Sequence, residues 1–116
     1  MSEVLTYEEA RKIYQMIDES LDRQDEDIVF LYHDMIRRAI HYAQIRSEWN
    51  QITREERIKK DSARSAVHDG FIASVNIIAR AEGTAGEQWK AILSDDRKRI
   101  GDLACYIALF KGLKAR

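Results

Sequence analysis

The stretch "FIASVNIIARAE" at residues 71 to 82 decides the fold class of this chain. Its apolar side chains recur at steps of three and four residues: Phe71, Ile72, Val75, Ile78 and Ala79. That spacing places them on one face of an α-helix, because a helix completes a turn in about 3.6 residues. Upstream, Thr53 and Glu56 have the spacing of a capping box, in which each side chain satisfies the other residue's free backbone amide. We therefore predict one long helix from residue 54 to 82.

The same periodicity appears elsewhere in the chain. Thr6 and Glu9 form a second capping-box pattern ahead of a run of helix-spaced apolar residues. Together with the long helix, the patterns predict helices over residues 7–22, 27–50 and 54–82, and a last helix from Ser94 or Asp95 to near Gly112. The segment "EQWKAIL", which precedes the last helix, is expected to form a short turn of helix.

The composition agrees with an all-helical protein. The 116 residues include no proline and five glycines, whereas loop-rich and all-β folds need turn residues at short intervals. A chain of this length fits a single domain over residues 1–116. Short connections between long helices place neighbouring helices antiparallel. We therefore predict an all-α protein, an antiparallel up-down-up-down four-helix bundle with long second and third helices.

Charge and cysteine content restrict the partners and the compartment. The formal net charge is −1, whereas nucleic-acid-binding domains are usually basic, so we do not expect a nucleic-acid partner. No apolar run approaches the ~20 residues of a membrane span, and the N-terminal residues lack the pattern of a signal peptide. Cys105 is the single cysteine, so no intrachain disulfide forms, and its apolar neighbours indicate a small buried side chain. We expect a cytoplasmic protein without a membrane partner.

A polar trio interrupts the apolar face of the third helix. Asp61, Arg64 and His68 lie within roughly 60° of one another, on the side where Phe71 follows. Charges on a buried face are costly unless they are paired and hydrogen-bonded. Antiparallel packing would bring Arg46 of the second helix level with Asp61, and we expect these two to pair. Two interpretations stay open, a structural network at an open end of the bundle and a polar pocket between the helices.

The pocket interpretation gives a candidate ligand-binding site made of Arg46, Asp61, Arg64 and His68. Both arginines offer charge-assisted hydrogen bonds, and the histidine is a donor whose charge depends on pH. The sequence contains no Gly-rich phosphate loop, no Cys/His metal spacing and no serine nucleophile motif, so no catalytic residue, metal or cofactor is predicted. We expect a non-enzymatic binding or regulatory protein that acts through a protein partner or a small anionic ligand.

The doublet in "VHDGF" supports an alternative function. Metal-dependent phosphohydrolases of the histidine–aspartate type hold a metal with an earlier histidine, a His-Asp pair and a later aspartate. The candidates here are His33 or His41, then His68 with Asp69, and finally Asp102. His33 and His41 lie opposite the predicted core face, and the chain is short for that fold.

Two segments resemble known families. The stretches "DSARSAVHDGFIASVNIIAR" and "DDRKRIGDLACYIALF" resemble a small bacterial all-α family of unknown function, which implies a helical fold and no particular chemistry. Separately, "DGFIASVNIIAR" is similar to a helix in small phage proteins that sequester cyclic-nucleotide signals in anti-defence. That second resemblance implies nucleotide binding without catalysis, as a further alternative.

Several large apolar residues do not fit one small core. Phe30, Ile40 and Ile45 lie off the main face of the second helix, and Trp49 and Trp89 add to the surplus. Isolated exposed apolar residues are normal, but this many indicate a partner surface. We therefore expect a homodimer.

Overall fold

The computed structural model describes residues 4–93 and 97–114, and helices dominate both ranges. The five helices are α1 (Tyr7–Leu21), α2 (Glu26–Trp49), α3 (Arg54–Glu82), α4 (Thr84–Leu93) and α5 (Arg97–Lys114). No strand occurs within these two ranges. The all-α prediction is confirmed, as are the long second and third helices of 24 and 29 residues.

The two predicted capping boxes are present. The Thr6 hydroxyl accepts a hydrogen bond from the Glu9 amide, and the Glu9 carboxylate accepts one from the Thr6 amide, both at 3.2 Å. Thr53 and Glu56 make the same reciprocal pair at the start of α3. At α2 the structure differs by one residue from the prediction, because Asp25 is the N-cap. The predicted caps of the last helix, residues 94 and 95, lie outside the described residues.

The fifth helix, α4, was predicted only as a short turn. Gly83 ends α3 with a φ of 62°, a left-handed conformation that suits glycine. Its carbonyl then accepts a hydrogen bond from the Glu87 amide at 3.0 Å, in the first turn of α4. Trp89 and Leu93, one helical turn apart, are both buried. Their burial in the main core makes this segment a packed helix of ten residues.

Helix α2 lies at the centre of the packing, in contact with α1, α3 and α5. Near the end of α2, the Trp49 carbonyl accepts a hydrogen bond from Arg57 Nε at 2.7 Å. Near its start, the Tyr32 hydroxyl donates to Glu82 at 2.8 Å. The end of α2 thus contacts the start of α3, and the start of α2 contacts the end of α3. The two helices therefore run in opposite directions. The last turns of α2 therefore lie beside the first turns of α3.

Helix α5 approaches another side of α2 very closely at Gly101. A Cβ atom at this position would lie 3.4 Å from Arg46 Nη1 and 3.5 Å from the Tyr42 ring. A larger side chain would push α5 away from α2 or displace Arg46. This close approach brings the next residue of α5, Asp102, within reach of α2.

A buried carboxylate joins α1, α2 and α3 at the opposite end of α2. Glu82, with 5% of its side chain exposed, lies 2.5 Å from Arg23 Nη1 and accepts a hydrogen bond from the Tyr32 hydroxyl. The Ser20 hydroxyl lies 3.4 Å from the same carboxylate. Burial raises the pKa of Tyr32 to about 12, and Glu82 adds to that rise.

Within the described ranges, no helix has both the length and the apolar character that crossing a bilayer requires.

Candidate functional site

The four residues predicted as a ligand-binding site occupy different places. Arg46 faces α5, His68 packs against Tyr42, and Arg64 lies over the ring of Trp49. Asp61 is exposed and has no ion pair or hydrogen bond to any described residue. The structure therefore does not gather these four side chains into one cluster.

Arg46 pairs with Asp102 rather than with Asp61. Arg46 Nη1 lies 3.1 Å from Asp102 Oδ1, and Asp102 Oδ2 accepts a hydrogen bond from the Leu5 amide at 3.3 Å. The prediction of an Arg46–Asp61 pair was wrong because it aligned only the second and third helices. Packing of α5 against α2 supplies a closer carboxylate.

Cys105 also contacts Arg46, with Sγ 3.8 Å from Nη1. Burial raises the pKa of the Cys105 thiol, against the opposing effect of the nearby Arg46 charge. The sequence predicted a buried side chain for Cys105. In the structure the side chain is only half-buried, at the edge of the core. A thiol with a raised pKa is a poor nucleophile at neutral pH.

His68 belongs to the edge of the core. Its ring centroid lies 5.0 Å from that of Tyr42, at an interplanar angle of 59°. Its Nδ1 lies 3.5 Å from the carboxylate of the adjacent, largely exposed Asp69. These contacts position the imidazole between α2 and α3, one turn before the first buried residue of α3, Phe71.

Asp61 is exposed because the first half of α3 extends beyond the core. All of the buried residues of α3 fall at Phe71 or later. Residues 58 to 63 are exposed throughout. This exposure agrees with an open end at this part of α3, and it leaves Asp61 outside both the predicted network and the predicted pocket.

Arg64 lines a cavity of about 270 Å³ between the end of α2 and the start of α3. The lining residues are Ile45, Glu48, Trp49, Ile52, Lys60, Ala63 and Arg64. Four of them are apolar or aromatic, two are cationic and one is anionic. The walls thus combine an apolar interior with a net positive charge.

The guanidinium of Arg64 is held against the indole. Its Cζ lies 5.0 Å from the Trp49 ring centroid, the geometry of a cation–π contact. Arg64 Nε is buried and has no hydrogen-bond partner among the described residues. A buried donor left in this state costs about 1–3 kcal/mol of stability.

Two neighbours complete the electrostatics of this cavity. Lys60 lies one helical turn before Arg64, on the same face of α3. Arg57 donates from Nε to the Trp49 carbonyl and so fixes the end of α2. Trp49 and Lys60 were missed as site residues. The four-residue spacing of Lys60 and Arg64 is the sequence signal that could have identified the lysine.

The residues of the metal hypothesis do not come together. Among the described residues, no group of three or more His, Cys, Asp and Glu side chains is placed to hold a metal ion. His33 and His41 are exposed on α2, and Asp102 is paired with Arg46. The geometry of the described residues gives no support to the phosphohydrolase alternative.

Comparison with known proteins identifies no relative. No protein-family model, curated protein or solved structure matches this chain at a significant level. The two resemblances noted from the sequence stay predictions, and the function must be argued from the geometry of the cavity.

Proposed function

We propose that this protein is a non-enzymatic helical binding module that takes a small amphipathic anion into the cavity beside Trp49 and Arg64. The observation that carries the proposal is the Arg64 side chain, which lines the cavity, lies over the Trp49 ring and has no ion pair with a described residue. A guanidinium carries five N–H donors. A ligand carboxylate or phosphate would accept hydrogen bonds from those that face the cavity.

The cationic side of the cavity suits a single negative group. A guanidinium presents its N–H groups as a planar fork that matches a carboxylate or phosphate. Stacking on Trp49 holds that fork in place before a ligand arrives, which lowers the entropic cost of binding. Glu48 in the same wall disfavours a second negative charge.

The remaining walls suit an apolar group. Ile45, Trp49, Ile52 and Ala63 offer carbon surface. The volume of about 270 Å³ lies just below the range of typical small-molecule sites, roughly 300–1,000 Å³, so only a small ligand fits. The lining includes no serine, cysteine or histidine, so it offers no nucleophile paired with a base. This arrangement supports ligand binding without catalysis.

A cyclic nucleotide shares features with this ligand class, since it joins a flat aromatic base, which can stack on apolar surface, to a single phosphate charge. Sequestering such a signal, the further alternative suggested by the resemblance to phage anti-defence proteins, would be one form of the proposed function. Its phosphate would accept hydrogen bonds from Arg64, and its base would contact the apolar walls.

Isothermal titration calorimetry with hexanoate tests the proposal. We expect Arg64→Ala to weaken hexanoate binding about tenfold or more, because it removes charge-assisted hydrogen bonds of about 1.5–3 kcal/mol. Binding of hexan-1-ol, which lacks the charge, should not change. Arg80→Ala, an exposed arginine later in α3, is the matched control and should bind hexanoate normally. Cyclic AMP, titrated in the same way, tests the nucleotide alternative.

Arg64→Ala should fold normally, so a loss of binding will not reflect unfolding. Arg64 has no ion pair with a described residue, and Asp61 stays solvated without it, so the free energy of unfolding should fall by less than ~1 kcal/mol. The proposal fails if wild type and Arg64→Ala bind hexanoate equally well.

We also propose that two copies of the chain associate through a surface that includes Phe30, the large apolar side chain that α2 leaves exposed, whereas Ile40 packs against the core. Phe30 is 66% exposed, whereas Trp89, counted in the predicted surplus, lies in the core. Light scattering should give about twice the 13.5 kDa of one chain, and Phe30→Asp should return the mass to that of a monomer. Ile58→Asp, at an exposed position on α3, is the control. A mass of 13.5 kDa for wild type at all concentrations would contradict the dimer.

For the architecture, we propose that α1, α2, α3 and α5 form the antiparallel up-down-up-down bundle, with α4 added between the third and fourth members. The opposite directions of α2 and α3 and the short connections at residues 22–25 and 50–53 support this arrangement.

A cytoplasmic location, predicted from the single cysteine, likewise stays part of the proposal.

A further inference from the structure

A second cavity, of about 310 Å³, lies between the N-terminal segment, α2 and α5. Its lining residues are Val4, Leu5, Arg46, Asp102, Cys105, Tyr106 and Leu109. It shares no residue with the cavity beside Trp49 and Arg64. Any ligand of this second cavity is therefore bound independently of the proposed function.

The polar groups of this second cavity cancel in charge. Arg46 and Asp102 form an ion pair at 3.1 Å, and the other oxygen of Asp102 accepts the Leu5 amide. The Cys105 thiol is neutral at physiological pH, because burial raises its pKa. Because this pair carries no net charge, an anion or a cation bound here would lose its hydration without gaining an opposite charge. The electrostatics select a neutral molecule.

Arg46 still has hydrogen-bonding capacity. A guanidinium carries five N–H donors, and the contacts to Asp102 and Cys105 both use Nη1. The side chain of Arg46 is 36% exposed, so its remaining donors are open to an incoming acceptor. One hydroxyl or carbonyl oxygen on the ligand would satisfy this requirement.

The rim of the cavity is apolar. Val4 is 47% exposed and Leu109 is 50% exposed, although both are large hydrophobic side chains. Tyr106 extends the carbon surface inward, and the fully buried Leu5 lies behind it. An apolar chain seated here would remove that surface from water, which is the main source of affinity in small-molecule sites.

From this combination we infer that the cavity between the N-terminal segment and α5 is a second small-molecule site, for a neutral, mainly apolar ligand with one hydrogen-bond acceptor. The acceptor binds Arg46, and the apolar part lies against Val4, Tyr106 and Leu109. The two cavities thus divide their ligands by charge, with anions beside Arg64 and neutral molecules beside Arg46.

Alkylation of Cys105 measures occupancy of this cavity directly, because it is the only cysteine of the chain and lines the cavity. Iodoacetamide would be used on the whole protein with hexan-1-ol or hexanoate present, at alkaline pH, where a larger fraction of the Cys105 thiol is ionised. We expect hexan-1-ol to slow alkylation several-fold and hexanoate to have little effect. Arg64→Ala should not change the protection by hexan-1-ol, so this result is separable from the anion-binding test.

A variant at the rim checks the position of the ligand. Leu109→Asp adds a charge at an exposed position and should abolish the protection by hexan-1-ol. Ile58→Asp, at an exposed position outside the cavity lining, should retain it. The inference is overturned if hexan-1-ol does not slow alkylation, if hexanoate protects equally well, or if Leu109→Asp leaves the protection unchanged.

Discussion

Replacing Trp89 by alanine is expected to lower the free energy of unfolding by about 4 kcal/mol, the usual cost of a large cavity in a core. Trp89 is 1% exposed and is the largest fully buried side chain of the described residues. It is also the main anchor of α4, the helix that the sequence predicted least well. Urea denaturation followed by circular dichroism measures the change without relying on tryptophan fluorescence.

Trp49→Ala is the matched control, because it removes the same side chain from a half-exposed position. We expect a loss of about 1–2 kcal/mol there, since water already contacts part of the indole. Equal losses for the two variants would show that α4 is not anchored in the core. So would a loss below about 1 kcal/mol for Trp89→Ala.

Glu82→Ala should lower the free energy of unfolding by about 2–3 kcal/mol. The change leaves the buried Tyr32 hydroxyl without its acceptor and removes the charge partner of Arg23. Arg23 is 44% exposed and regains water, so its contribution is discounted. Ser20 keeps its other partner, the Met16 carbonyl. Urea denaturation again gives the value.

Two variants isolate the cause of this loss. Glu82→Gln keeps an acceptor for Tyr32 but loses the charge, and should cost about 1 kcal/mol. Glu19→Ala, an exposed position in α1, should change stability by less than about 0.5 kcal/mol. If Glu82→Ala is no more destabilising than Glu19→Ala, the carboxylate does not hold α1, α2 and α3 together.

Local sequence rules were sufficient for most of the helices. Thr6 and Thr53 each sit three residues before a glutamate, and both capping boxes form because they depend only on neighbouring residues. Helix α4 was underestimated for the opposite reason. A segment of seven residues is too short for its periodicity to be diagnostic. Its helicity depends on the turn at Gly83 and on the burial of Trp89 against the rest of the core.

The candidate site was only partly predictable. Arg64 was singled out as a charge on the face that precedes the core, and in the structure it lines a cavity, while its role in binding stays a prediction. The partner of Arg46 was missed because Asp102 lies 56 positions later, and no spacing rule reports the packing of α5 on α2. Asp61 was included because helical periodicity shows which side of the helix a residue faces. Periodicity does not show whether another helix covers that side, and at Asp61 α3 extends past the core.

The central claim, that Arg64 binds an anion through its guanidinium, is tested most directly by nuclear magnetic resonance. The Nε–Hε resonance of Arg64 can be assigned by its loss in Arg64→Lys, and that of the exposed Arg80 in the same way. We predict that hexanoate shifts the Arg64 resonance in a saturable manner and leaves the Arg80 resonance in place, while hexan-1-ol moves neither. An Arg64 resonance that stays fixed as hexanoate is added, or that shifts no more than that of Arg80, would contradict the proposed binding site.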